Sequence, residues 1–586
     1  MRSFPLALIA ATTVLTMAGV MIGHCAAGYP LIGIDDANIF LTYAQNLVRG
    51  WGFVYARPGK PVEGFTSLAW VLICAVATRV SGDRELVLLA LNVGLVVLAV
   101  VSVSLFTRYV LTQAGGARGR HATLCATLVL PWCFLGPDYV VWMTLSLMDT
   151  ALWGAVFTLG ALATALTLDT GGAARRGRTT WLSLIGALAL VTRPESMMLV
   201  PLWILVGAAG SYAMTGDRSR ALARYLGPAL VCAVTLVSLL AFRLAYFGYP
   251  LPNTYYAKVS PSLLYNILEG TKYLARFVVR HALVAPCLGC AVVATGPFFL
   301  RLRSPIEGRA ARPSEVAEVR VAVVALIGMI GIALPVISGG DHFVQFRFYQ
   351  PVWPILIVPP LFLVEGLAPR DRPAQLSRPG VIKWAGRLSI GLSLALGVYS
   401  SQRPKWHDLI RDRGTTVARE FEIARGGRET GTLLNHVLGD PPALSIGVIA
   451  AGGIAVTYRG ETIDLLGLND PEMGHSSGDR RGAKNHAAFN ADVFFKQAPD
   501  LVMPSRYDRG QSVPSALLPG SIADSQYLKG LLSERLFQSR YTLATLALSD
   551  ESEVIVACWV RRERVENLVR RGIKVRDLSR DFLAEK

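Results

Sequence analysis

Residues 34–70 read IDDANIFLTYAQNLVRGWGFVYARPGKPVEGFTSLAW. Two adjacent carboxylates, Asp35 and Asp36, come directly after an apolar run at residues 4–23. A helical pattern follows them. Phe40, Tyr43, Ala44, Leu47 and Val48 recur at i, i+3, i+4, i+7 and i+8, and Asn38, Thr42, Gln45 and Arg49 fall on the other side. The pattern predicts an amphipathic helix, with Asp36 as N-cap and Gly50 as the residue after its C-cap. A helix of this kind beside a span is expected to lie along a membrane surface. One Asp is enough for a cap. A second, adjacent carboxylate adds repulsion and raises the pKa of at least one partner, which suits a general base.

The surrounding chain fits a membrane setting. It has 586 residues, 52% of them hydrophobic and 17% charged, with a mean hydropathy of +0.42. Soluble chains carry nearer a quarter charged residues. Apolar runs fall near 4–23, 84–106, 121–136, 151–168, 181–192, 196–210, 226–246, 282–300, 320–337, 349–366 and 384–400, which predicts about eleven spans. The first is longer than the apolar core of a secretory signal and only Arg2 precedes it, so it reads as a retained span. The formal net charge is +17. Its Arg residues cluster in the breaks around 118–120, 175–178, 218–224, 301–312 and 370–383. With the N-terminus inside, strict alternation puts all five breaks on the cytoplasmic side, as the positive-inside rule requires. No basic patch is interleaved with aromatics, so nucleic acid is not an expected partner. The eight cysteines are scattered and mostly apolar in context. Cys287 and Cys290 form a C-x-x-C inside a span, with no second pair, and read as buried small residues.

This topology makes 181–192 and 196–210 a hairpin whose tip is Thr192-Arg193-Pro194-Glu195. The first arm is expected to reach only about 18 Å, less than the hydrocarbon thickness, leaving Arg193 and Glu195 at membrane depth. Ionisable residues there are functional candidates, although an ion pair that only stabilises the tip explains them too. The opposite face collects 24–83, 137–150, 247–281, 338–348 and the chain after 401. In 243–258, RLAYFGYPLPNTYYAK, a Pro-rich turn brings Tyr255, Tyr256 and Lys258 toward one place, though tyrosines at this depth also form interface belts. In 338–351, SGGDHFVQFRFYQP, Gly339-Gly340 permit a tight turn ahead of Asp341, His342 and Arg347. The Arg347 fork matches phosphate oxygens. Asp341 and His342 supply only two metal ligands, so no metal site is assigned, and a divalent cation is the one cofactor left open.

The expected domains are a membrane domain at 1–400, with its first external loop at 24–83, and a soluble α/β domain at 401–586. Strands are expected near 444–450, 461–466, 500–503, 541–548 and 553–559. Helices are expected near 405–425, 484–498 and 525–537, with a charged surface helix after Arg561. There is no G-x-x-x-x-G-K-[ST] and no G-x-G-x-x-G between a strand and a helix. An external site has no access to nucleotide sugars, so an activated donor has to arrive in the membrane.

Several motifs resemble, in order, those of GT-C glycosyltransferases, especially terminal β-1,2-arabinofuranosyltransferases of the mycobacterial cell wall. They are Asp35-Asp36, Tyr43-Ala44-x-Asn46-Leu47, the run from Pro58 to Ser67, Trp70, Thr192-Arg193-Pro194-Glu195, Leu251-Pro252-Asn253-Thr254-x-Tyr256-Ala257-Lys258, Gly339-Gly340-Asp341 with Arg347-Phe348, and Ile463 to Asp470. Met148-Asp149-Thr150 departs from the family's G-M-E-T, with Leu147 for Gly and Asp149 for Glu. The resemblance spans about residues 30–505. It implies a polytopic α-helical GT-C fold and a polyprenyl-phosphate sugar donor, with D-arabinofuranose as the sugar and mannose as the alternative. It also implies a glycan or glycoprotein acceptor at the outer face of a bacterial inner membrane, and a catalytic acid carried by Asp35 and Asp36. Of the two, Asp35 is the expected base, with Asp36 at the cap.

From the residues themselves, Arg193, Lys258 and Arg347 are candidates to hold the donor phosphate. Glu63, Glu195, Asn253, Tyr256, Asp341 and His342 are candidates to hold sugar or acceptor. Two rivals remain. A transporter or flippase of lipid-linked sugar predicts internal repeats, which are not seen. A non-enzymatic binding protein leaves the ionisable residues at membrane depth without a role.

Overall fold

The computed structural model describes residues 3–27, 31–115, 137–168, 174–366 and 416–579, apart from positions 57, 58, 282, 308, 344, 440–442, 479, 482, 483, 510 and 553. The helices that matter here, in chain order, are α1 (Ser3–Ala27), α2 (Asp35–Val48), α3 (Leu68–Val80), α4 (Arg84–Gly115), α5 (Thr150–Leu166), α6 (Ala174–Thr192), α7 (Ser196–Thr215), α8 (Arg218–Phe247), α9 (Asn253–Lys258), α10 (Leu263–Arg280), α11 (Val284–Arg303), α12 (Pro313–Ser338), α13 (Thr416–Leu438) and α14 (Gly453–Thr457).

Among the described residues, six helices are long and apolar enough to cross a membrane: Pro5–Cys25, Arg84–Ala114, Ser196–Thr215, Arg218–Phe247, Val284–Arg303 and Pro313–Ser338. The chain is a multi-pass membrane protein. These six answer the runs expected at 4–23, 84–106, 196–210, 226–246, 282–300 and 320–337. The run at 151–168 is a shorter apolar helix, α5. The run at 349–366 is two short helices, Trp353–Leu356 and Val358–Gly366. The runs at 121–136 and 384–400 lie outside the described residues, as does the start of the helix expected at 405–425.

One expectation about length fails. The first arm of the 181–210 hairpin is α6, 19 residues long, which gives about 28 Å rather than 18 Å. It begins at Ala174 because Arg175, Arg176 and Arg178, assigned to a loop by their charge, are good helix formers.

The residues group into two compact units that do not follow the boundary expected at 400/401. One unit holds Met1–Tyr29, Leu89–Leu239 and Leu264–Thr415, and the other holds Pro30–Leu88, Leu240–Leu263 and Thr416–Lys586. Most of the loop expected at 24–83, from Pro30 on, and the segment after α8 therefore group with the C-terminal domain.

In the helical unit, close approach depends on small residues. A Cβ on Gly19 or Gly23 of α1 would meet Val140 at 2.9 Å or Val141 at 2.6 Å. A Cβ on Gly160 of α5 would stand 2.3 Å from the Trp203 ring of α7. Gly339 (φ +91°) and Gly340 (φ +69°) make the expected turn after α12.

The second unit carries a six-stranded sheet. Its strands are β1 (Ile446–Val448), β2 (Thr462–Asp464), β3 (Leu501–Asp508), β4 (Tyr541–Ala547), β5 (Val554–Arg561) and β6 (Lys574–Asp577), in the order β2-β1-β3-β5-β4-β6. β1 pairs parallel with β2 and β3, and the other pairings are antiparallel. Five strands fall on the strand-like runs expected, with β3 running on past 503 to Asp508. β6 was not expected, because the charged tail masks it. Arg562–Arg570 is the surface helix foreseen, with only Leu568 buried, and the chain then returns to the sheet edge. The core gathers Phe494, Phe537, Tyr541, Trp559 and their neighbours. The helix expected at 484–498 is confined to Ala491–Gln497, and that at 525–537 to Arg535–Arg540 behind irregular turns.

Candidate active site

α2 is not a surface helix. Ten of its residues are buried, among them Asn38 and Thr42, which the pattern placed on a polar face. Val48, placed on the apolar face, is exposed. α2 packs against α3, α13 and α14, so it needs no single apolar stripe. Its polar residues are satisfied inside the unit. Asn38 Nδ2 donates to the carbonyls of Ile32 (3.1 Å) and Ile34 (2.8 Å), and its Oδ1 accepts from Arg428 Nε at 2.7 Å. Arg428 also pairs with Glu85 at 2.9 Å. The expected C-terminus holds: Gly50 takes φ +78°, Gly50 N–H donates to Leu47 O, and Trp51 N–H donates to Asn46 O.

The N-terminus of α2 differs from expectation. The N-cap position is Ile34, with no side-chain cap bond, and Asp36 lies inside the first turn instead of at the cap. Asp35 is buried, at 7% exposure, and its two carboxylate oxygens accept from Gly452 N–H (2.9 Å) and Gly453 N–H (2.7 Å) at the start of α14. The two glycines allow this approach. A Cβ on Gly452 would fall 1.8 Å from Asp35 O, and one on Gly453 would fall 2.2 Å from Ala424 O. Burial pushes the Asp35 carboxyl up to about 6, against the two N–H bonds that lower it, and the Asp36 charge raises it further. Asp36 is only half-buried.

The rest of the first loop is tied into the same unit. Tyr43 hydroxyl donates to Asn469 Oδ1 at 3.1 Å and accepts from Gly64 N–H at 3.2 Å. Asn469 in turn donates twice to Asp464, from N and Nδ2, both at 2.9 Å. Tyr55 hydroxyl donates to Ala451 O. Glu63 was expected to hold sugar, but it is buried in a fork with Arg243: Nε lies at 2.8 Å from Oε2 and Nη2 at 2.8 Å from Oε1. Asn253, expected in the same role, donates Nδ2 to the carbonyls of Gly467 (2.8 Å) and Leu468 (3.0 Å). Both residues face protein partners: Glu63 is held by Arg243, and the Asn253 amide nitrogen by two carbonyls. Tyr256 is half-buried against His475, with ring centroids 4.1 Å apart, and Lys258 is half-buried on the same short helix, α9.

The helical unit holds a second cluster. Arg193 Nη2 and Nε bind Glu195 at 2.7 and 3.2 Å, and Nη1 binds Asp149 at 3.1 Å. Arg347 pairs with Asp341, whose Oδ1 also accepts from His342 N–H at 2.9 Å. Both guanidinium groups lie over Phe348, at 5.6 and 5.3 Å from its ring centre. Arg193 and Arg347, expected as phosphate ligands, have carboxylate partners, as the alternative ion pair at the 192–195 tip foresaw for Arg193. Among the described residues no three His, Cys, Asp or Glu side chains come together as a metal site. Asp35, Asp36, Glu63, Asn253, Tyr256 and Lys258 share one unit. Arg193, Glu195, Asp341, His342 and Arg347 share the other.

Sequence reading missed several partners. Arg243 sits near the end of an apolar span, and the rule that intramembrane charges are rarely idle would have flagged it. Asp149 is the carboxylate that Arg193 holds. Leu147 stands where the resembled motif has Gly and takes φ +56°, a conformation that favours glycine. It is tolerated with its side chain fully buried. Gly452 and Gly453 carry no local signal of their role.

The chain matches no protein-family model and no curated protein. It is similar in structure to ArnT from Cupriavidus metallidurans, solved bound to undecaprenyl phosphate, with 12% identity, a TM-score of 0.50, and 95% of this chain aligned to 98% of that one. It aligns less well with the oligosaccharyltransferase of Archaeoglobus fulgidus (12% identity, TM-score 0.49, 94% of this chain and 73% of that one). The same holds for the mycobacterial arabinofuranosyltransferase AftD (14%, 0.46, 95% and 40%). The fold is the GT-C fold implied by the motifs.

Proposed function

We propose that the chain is a glycosyltransferase that moves a sugar from a polyprenyl-phosphate donor to a cell-envelope glycan or glycoprotein at the outer face of the inner membrane. The observation that carries this reading is the acidic pair at the start of α2, with Asp35 held by two backbone N–H groups and Asp36 only half-buried beside it. This reading reverses the expected division of labour. Asp35 anchors α2 to α14, and Asp36 is the base. Asp36 takes the proton of an acceptor hydroxyl, whose oxygen bonds to the anomeric carbon. The bond from that carbon to the donor phosphate oxygen breaks, and polyprenyl phosphate leaves. Negative charge grows on the leaving phosphate, and a cation aimed at it lowers the barrier.

Lys258 is the proposed cation for that role. Arg193 and Arg347, with their charges balanced by Asp149, Glu195 and Asp341, position neighbouring groups, and His342 stands beside them. Tyr256 remains the proposed contact for acceptor sugar. The ArnT structure that shares the fold holds undecaprenyl phosphate, which supports a lipid-phosphate donor. D-Arabinofuranose as the sugar rests on the motif resemblance alone. Membranes containing the chain should label an acceptor glycan from polyprenyl-phospho-D-arabinofuranose. Labelling only from another lipid-linked sugar would discard arabinose and keep the transferase, while labelling only from a nucleotide sugar would discard the lipid donor.

A further inference from the structure

The loop after β2 carries a cation that the catalytic proposal does not use. Asp470 accepts from Met473 N–H at 2.8 Å and caps the turn Pro471–Gly474. Arg480 then folds back under that turn. Its Nη2 donates to the carbonyls of Gly474 and Ser476, both at 2.9 Å, and its Nε donates to Tyr256 O at 3.2 Å. The residue is 8% exposed, and among the described residues burial acts on its charge with no carboxylate beside it. Three carbonyls satisfy hydrogen bonds but carry no full negative charge, and a buried charge is expensive unless a counter-charge meets it. Its remaining nitrogen, Nη1, is buried with no protein acceptor.

His475, in the same loop, has the same feature: Nε2 is buried and unpartnered. Burial first, and the Arg480 charge second, hold its imidazole below the usual range, so the ring is neutral at pH 7 and keeps one N–H to donate. Stacking on Tyr249 (3.8 Å between centroids) and a tilted contact with Tyr256 (4.1 Å) fix the plane of the ring. The cover over the guanidinium is thin. Nη1 lies 3.5 Å from the point where a Cβ on Gly478 would stand, and Gly478 is exposed. Every residue named here belongs to one compact unit.

We infer that Arg480 and His475 form an oxyanion site that takes a phosphate group. The guanidinium supplies the charge and one free N–H edge, the imidazole supplies a neutral donor, and a phosphate oxygen accepts from either. The phosphate can come from a lipid headgroup or from a soluble phosphate, and both present the same oxygens. The site does not depend on the transferase reading.

The test uses the full chain in nanodiscs of zwitterionic lipid. The melting temperature is followed against inorganic phosphate in one arm and against polyprenyl phosphate doped into the disc in the other. The wild type should be stabilised in at least one arm. Arg480→Gln should weaken that response by about tenfold or more, the range of a lost charged hydrogen bond. His475→Phe, which keeps the stacking, should weaken it less. If Arg480→Gln does not elute as a folded protein, Arg480→Lys, which keeps the charge and loses the fork, takes its place with the same expected direction. A response to polyprenyl phosphate alone assigns the site to a lipid headgroup, and a response to inorganic phosphate assigns it to a soluble one. No stabilisation in either arm, or Arg480 variants that respond as wild type does, would overturn the site. Loss of sugar transfer in Asp36→Asn with the phosphate response intact separates this site from the proposed chemistry.

Discussion

Asp35 shows how much one carboxylate depends on residues far along the chain. Its pKa of about 6 lies above the 3.8 of an unperturbed Asp, so the folded state holds the proton more tightly than the unfolded state. The stability that this contributes is full below about pH 4 and is lost as pH rises through 6, by roughly 3 kcal/mol for such a shift. Asp464, also pushed to about 6, adds a slope of the same sign. Asp35→Asn should therefore lose less melting temperature than wild type does between pH 4 and pH 7. The variant should also melt lower at pH 4, because a carboxamide cannot accept from both Gly452 and Gly453. The pair Asp35–Asp36 was legible in the sequence as chemistry. Which member is buried was not, because the glycines that decide it lie more than 400 residues away.

At the scale of elements, the periodicity of 34–70 found the helix and its C-terminal glycine but not its surroundings. A hydrophobic stripe predicts one buried face, and α2 is enclosed on more than one, so Asn38, Thr42 and Asn46 are buried as well. Enclosure makes its joints intolerant. Gly452→Ala would force a methyl to 1.8 Å from a backbone oxygen that cannot move alone. A loss of about 3 kcal/mol or more is expected in chemical denaturation, with Gly478→Ala, in open contact, as a near-neutral control. The Glu63–Arg243 fork holds the loop 49–67 to the end of α8. Glu63→Gln should cost about 3–5 kcal/mol by leaving a buried guanidinium unpaired. Glu63→Gln with Arg243→Met should recover most of that in the same measurement. A double variant as unstable as the single one would mean that the loop is held elsewhere.

At the scale of the whole molecule, the spans were legible because lipid demands long apolar helices, and six of the expected runs meet that demand among the described residues. The grouping of residues was not legible. Hydropathy separates membrane from water along the chain, whereas the second compact unit is assembled from three stretches that hydropathy reads apart. Clasps such as Asn253 to Gly467 and Tyr43 to Asn469 are what join them. In the proposed reaction the sugar comes from a lipid-borne donor and Asp36 is the base. The purified chain in proteoliposomes, given labelled polyprenyl-phospho-arabinose and an acceptor glycan, tests it most directly. Label should enter the glycan with wild type, and the rate should fall by about a hundredfold or more with a folded Asp36→Asn variant. Transfer at the wild-type rate by that variant would contradict it.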